Sequence, residues 1–115
     1  MVHKGNKGIV VISILAEIYS QDIRPHFFDK IPSIGKKIEA YVDPSILLPK
    51  KRSHFFYRGS LTTPPCTEGI QWIVLNTPVK VSQKQLRKFK FHYPDNHREI
   101  QNTNKRTIFF DTGKN

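Results

Sequence analysis

The chain carries a single cysteine, Cys66, so no disulfide can close within it; the thiol is reduced or its partner lies elsewhere. It has no run of about 18 apolar residues, the length that a membrane-crossing helix requires. Its most apolar stretch, Gly8 to Ala16, is strand-sized. The N-terminus, Met1-Val2-His3-Lys4-Gly5-Asn6-Lys7, leads straight into a strand pattern without the small-residue cleavage site of an export signal, so any such signal is expected outside this chain. Internal repeats and low-complexity tracts are absent. Acidic residues are few: 9 Asp plus Glu stand against 19 Lys plus Arg, a formal charge of +10. Such a surplus attracts nucleic acid, sulfated glycans or anionic lipid. The cations are scattered, however, with Lys50-Lys51-Arg52 and the run Lys84 to Lys90 the densest groups. A solvated basic surface is therefore expected, with no specific nucleic acid and no membrane as partner.

What is present suits a packed domain. The 37% hydrophobic share, with eight Phe, four Tyr and one Trp, argues against disorder, and 115 residues suffice for one domain. Ile9-Val10-Val11-Ile12-Ser13-Ile14-Leu15 is β-branched and apolar at both alternations, which predicts a strand buried mid-sheet that needs neighbours on both sides. From Gln21 to Lys51, Pro25, Pro32, Pro44 and Pro49 break short apolar patches, predicting irregular connection with one short helix. Strands are predicted at His54 to Arg58, Ile70 to Leu75, Val79 to Val81 and Thr107 to Phe110. Ser82 with Gln85 three residues on forms a capping-box pattern opening a helix near residues 82–90, with Leu86 and Phe89 on its apolar side. The fold class is α+β, β-dominated, with one clear helix.

Between two of these strands lies Ser60-Leu61-Thr62-Thr63-Pro64-Pro65. Proline fixes its own φ and restricts the residue before it, so Thr63 and Pro64 are expected to be extended and the Thr62 hydroxyl aimed. An aimed hydroxyl can orient a small reactant; equally, such hydroxyls can satisfy turn backbone.

The longer string Gly59-Ser60-Leu61-Thr62-Thr63-Pro64-Pro65-Cys66-Thr67-Glu68-Gly69, followed by Trp72-Ile73-Val74-Leu75, resembles the signature of the bacterial-type α-carbonic anhydrases. Upstream, Met1-Val2-His3-Lys4 and Gly8-Ile9-Val10-Val11 resemble the family segment that carries the third zinc histidine and runs into a core strand. Downstream, Val79-Lys80-Val81-Ser82, Gln85-Leu86 and Phe89, then Asn96-His97-Arg98-Glu99-Ile100-Gln101 and Asn104-Lys105-Arg106, resemble its closing helix and Asn-x-Arg-x-x-Gln stretch. The resemblance implies the C-terminal part of a mixed, mainly antiparallel central sheet, one partial domain over residues 1–115. It also implies zinc-dependent, reversible hydration of carbon dioxide to bicarbonate, with sulfonamides and anions as inhibitors. Zinc held by three neutral histidines lowers the pKa of its water from about 15.7 to about 7. Thr62 matches the family's gatekeeper threonine, which orients the attacking oxygen and offers a backbone N–H to an anionic one. By the same matching Val2, Val11, Leu61, Ile70 and Trp72 line a greasy carbon dioxide pocket, with Thr63 at its polar rim. Core packing is the competing role for each of these apolar residues.

The chain departs from the family pattern at the metal. The family binds zinc through a His-x-His pair plus a third histidine. Here His3, His26, His54, His92 and His97 are scattered with no His-x-His. The ligand in the segment matching His3 lies three residues earlier in the family, upstream of Met1, so no residue of this chain is expected to bind zinc and the missing N-terminal half becomes a partner. The chain is accordingly expected to be inactive alone. In exported bacterial relatives a cysteine at the place of Cys66 pairs with one near the N-terminus, implying a periplasmic or secreted full-length parent. Without upstream neighbours, the strand at Ile9 to Leu15 would be an apolar, aggregation-prone edge. A rival expectation is a non-catalytic module on this fold that holds acidic glycans or nucleic acid.

Overall fold

The computed structural model describes residues 1–21 and 43–114. Five strands form one sheet in the order β1-β2-β4-β3-β5. They are β1 (Val2–Gly5), β2 (Gly8–Tyr19), β3 (His54–Ser60), β4 (Glu68–Ser82) and β5 (Phe109–Asp111). β2 and β4 run parallel, and every other neighbouring pair is antiparallel. The mixed, β-dominated architecture agrees with the expected class.

Local chemistry explains each element. Asn6 and Lys7 link β1 to β2 between Gly5 and Gly8, which pair with one another; Gly8 takes φ +132°, open to glycine and strained for other residues. Only four residues were needed for this first strand, and their sparse apolar content kept it out of the periodicity reading. β4 is continuous where the sequence predicted two strands. Pro78 has no N–H to give the ladder, and the register slips there: Ile14 pairs with Leu75, then Ala16 with Val79. The bulge carries the strand past the proline instead of ending it. The last strand lies at Phe109–Asp111, shifted toward the C-terminus of its predicted span, with Phe110 tilted against Phe55 and Phe109 stacked on Phe56.

The helix α1 (Gln83–His92) opens as the sequence predicted. The backbone N–H of Gln85 donates to Ser82 Oγ at 3.2 Å, and the Ser82 N–H donates to Gln85 Oε1 at 2.9 Å. Leu86 and Phe89 face Ala16 and Val81 across an apolar cavity of about 190 Å³. A 3₁₀ turn, Pro44–Leu47, is capped by Asp43, whose carboxylate accepts from the Ser45 N–H at 2.9 Å. That bond, with the Ser45 side chain adding to it, holds the Asp43 carboxyl below its ordinary pKa of 3.8. The rest of the predicted irregular connection, residues 22–42, lies outside the described residues, as does His26.

Among the described residues the buried apolar side chains are those of Val11, Ile70, Leu75 and Val81, and no large side chain is fully buried. Within β2, the run Ile9 to Leu15 was expected to be buried mid-sheet, or to form an apolar edge without its upstream neighbours. Val11 alone on it is buried, and Leu15 and Ile18 are 49% and 56% exposed. The reason is pairing: β1 covers β2 only through Val11, with Met1 adding two backbone bonds to Ile12. From Ser13 to Tyr19 that side of β2 has no strand neighbour among the described residues.

Candidate functional site

Residues paired across a sheet present their side chains on the same face. Val2 pairs with Val11, Val11 with Trp72, and Trp72 with Tyr57, so one row crosses four strands. Ile70, two residues before Trp72, shares that face. The register thus brings together four of the residues picked out from sequence, Val2, Val11, Ile70 and Trp72. Val11 and Ile70 are 6% and 3% exposed, Trp72 is half-buried, and Val2 is exposed at the edge. His3 pairs with Val10 and so falls on the opposite face from Val2.

Trp72 is pinned from three directions. Its ring stacks on Tyr57 at 6.4 Å between centroids and 8° between planes. Its Nε1–H donates to the Ser60 carbonyl at 3.0 Å. The third contact is Gly59, where an added Cβ would lie 2.9 Å from Trp72 Cδ1 and 3.2 Å from Tyr57 Cε2. Glycine here is required by the close approach of the indole.

The hydroxyl-bearing turn leaves β3 at Ser60 and is closed by two backbone bonds. The Leu61 N–H donates to the Thr67 carbonyl at 2.9 Å, and the Cys66 N–H donates to the Thr63 carbonyl at 2.8 Å. The Pro64–Pro65 peptide is cis, and Cys66 has φ +58°. Thr62 and Thr63 are exposed at the tip, while Leu61 and the free Cys66 are half-buried. Thr62 and Leu61 therefore follow directly on the residue that Trp72 holds.

Arg98 holds the same residue from another side, and the motif reading gave it no role. Its Nη1 donates to Ser60 Oγ at 2.9 Å and to the Leu61 carbonyl at 3.4 Å, across 38 and 37 residues of sequence. Arg106 clamps the following segment through its Nε to the Thr103 carbonyl, Nη2 to Asn102 and Nη1 to the Arg58 carbonyl at 3.2 Å, with its guanidinium 5.6 Å from the Tyr57 ring centroid. Arg98 lies in the stretch that resembles Asn-x-Arg-x-x-Gln, but that resemblance assigned it nothing, and its long-range partner could not be read without the fold.

Among the described residues no group of three or more His, Cys, Asp or Glu side chains comes together to hold a metal ion. These residues do not fit zinc, and no catalytic step through zinc is derived from them.

The family model for eukaryotic-type carbonic anhydrase matches residues 2–112. A carbonic anhydrase of Neisseria gonorrhoeae is 37% identical over 107 residues, covering 90% of this chain and 42% of that protein. An α-carbonic anhydrase from Thermovibrio ammonificans, solved with the inhibitor sulfanilamide, superposes with TM-score 0.78 at 36% identity over 93% of this chain and 50% of that one. A hyperthermostable carbonic anhydrase from a hydrothermal vent chimney gives TM-score 0.81 at 35% identity, over 95% and 51%. The chain spans less than half the length of the first curated relatives it matches and about half of the solved structures. The family model's match over nearly all of its residues, with superposition over 93% of the chain, makes this chain a member of the eukaryotic-type, or α, carbonic anhydrase family.

Proposed function

We propose that this chain supplies one side of a site for the reversible hydration of carbon dioxide to bicarbonate, and that the family's zinc is bound by residues outside the described set. The observation that supports it is the apolar row of Val2, Val11 and Trp72, with Ile70 on the same face, joined through the Trp72–Ser60 bond to the turn bearing Thr62.

The chain's own residues suit that chemistry. Carbon dioxide is apolar, and a face of Val, Ile and Trp receives it without desolvating polar groups. The Thr62 hydroxyl has one proton to give and two lone pairs to receive, so it can fix the orientation of an attacking oxygen. Its N–H is available to an oxygen gaining negative charge. Leu61 extends the apolar lining and Thr63 gives it a polar rim. Sulfonamides and simple anions would compete at this place; the Thermovibrio relative is solved in complex with the inhibitor sulfanilamide. The Cys66 thiol, free within the chain, would pair with a cysteine outside it in an exported parent protein.

The test joins the upstream part of the Neisseria gonorrhoeae relative to residues 2–112 of this chain and follows carbon dioxide hydration. Thr62→Ala is expected to lower kcat/KM about a hundredfold with zinc content unchanged, and Thr62→Ser to restore most of it. Full activity in Thr62→Ala sinks the assignment.

A further inference from the structure

A cleft of about 390 Å³ lies behind the β3–β4 turn, walled by Arg58, Arg98 and Arg106 with Glu68, Asn102 and Asn104, and floored by Gly59 and Gly69. Its charge is unbalanced. Three guanidiniums face one carboxylate, and among the described residues Glu68 is ion-paired with none of them. Arg106 is fixed in the wall, since all three of its nitrogens donate to backbone carbonyls. Arg58 and Arg98 are held by Nη1 alone, to the Gly69 carbonyl at 3.1 Å and to Ser60 and Leu61. Each keeps Nε and Nη2 for another acceptor, and the edge they form matches the two oxygens of a carboxylate or phosphate. Nothing lies within 4 Å of the point where a side chain on Gly69 would begin, so the floor is open to a ligand. The Asn102 Oδ1 accepts from the Asn104 N–H at 2.9 Å, which holds the amide wall in place.

We propose that this cleft binds a small soluble oxoanion carrying two or more carboxylate or phosphate groups. The volume is that of a small-molecule site, roughly 300–1,000 Å³, and far exceeds one inorganic ion. Neither Thr62 nor the apolar row takes part, so the proposal stands apart from the carbon dioxide reading.

Citrate and pyrophosphate, titrated into the full chain and followed by calorimetry, are the probes. Saturable binding of one anion per chain is expected. Arg58→Gln and Arg98→Gln should each weaken it about tenfold or more, while Glu68→Gln, which removes the repelling carboxylate, should tighten it about threefold. Removing two charges from α1 by Lys84→Gln with Arg87→Gln should change it less than about twofold at physiological salt. Equal loss in the α1 variant, no saturable binding, or binding of heparin without citrate overturns the proposal. Arg98→Gln also loosens Ser60, so Arg58→Gln and Glu68→Gln carry the decision should that variant fail to fold.

Discussion

Gly59→Ala isolates the packing that holds the motif turn. The new methyl would sit 2.9 Å from Trp72 Cδ1 and 3.2 Å from Trp72 Nε1, closer than carbon atoms in contact come. The indole cannot swing away freely, because it stacks on Tyr57 and donates to the Ser60 carbonyl. Overpacking of this kind costs about 1–3 kcal/mol, and losing the indole bond adds about 1 kcal/mol. For a chain of this length that lowers Tm by roughly 8 °C or more. Trp72 is the sole tryptophan, so urea unfolding is followed by far-UV circular dichroism, a signal that survives removal of the indole. The measurement is made at one protein concentration, since association shifts apparent stability. In a Trp72→Leu background, which removes the ring, Gly59→Ala should cost less than about 1 kcal/mol. An equal penalty in both backgrounds would refute the clash as its cause.

Three further outcomes are expected. Ser82→Ala removes one arm of the capping box and should cost about 1 kcal/mol in the same urea assay, with Ser82→Asp largely sparing it. Asp43 should titrate below 3.8 by carboxyl NMR; its folded pKa is depressed, so its small contribution to stability is present above the unfolded value and fades as pH falls through the folded one. The uncovered side of β2, with Leu15 and Ile18 exposed, should drive association of the isolated chain. Ile18→Lys should then shift sedimentation toward monomer, and unchanged sedimentation would place the contact elsewhere.

Much of the fold was legible because the signals were local. The Ser82–Gln85 cap, the Leu86 and Phe89 spacing and the β-branched run at Ile9 each need only a few neighbouring residues. Pro78 misled, since it marks a strand end unless a bulge accommodates it, and the bulge depends on how β2 pairs with β4. At the candidate site the motif residues were found by resemblance, and the register then placed Val2, Val11, Ile70 and Trp72 on one face. The clamps were not legible. Arg98 reaches Ser60 over 38 residues, and Arg106 reaches Arg58 over 48, separations that no sequence period encodes.

The division of labour between this chain and what precedes it in its relatives is tested by zinc content and carbon dioxide hydration, compared for residues 1–115 alone and for the same residues joined to the Neisseria gonorrhoeae upstream segment. We expect no stoichiometric zinc and no hydration above background from residues 1–115, and both from the joined protein. Stoichiometric zinc with catalysis in residues 1–115 alone would contradict the proposal that the metal is held elsewhere.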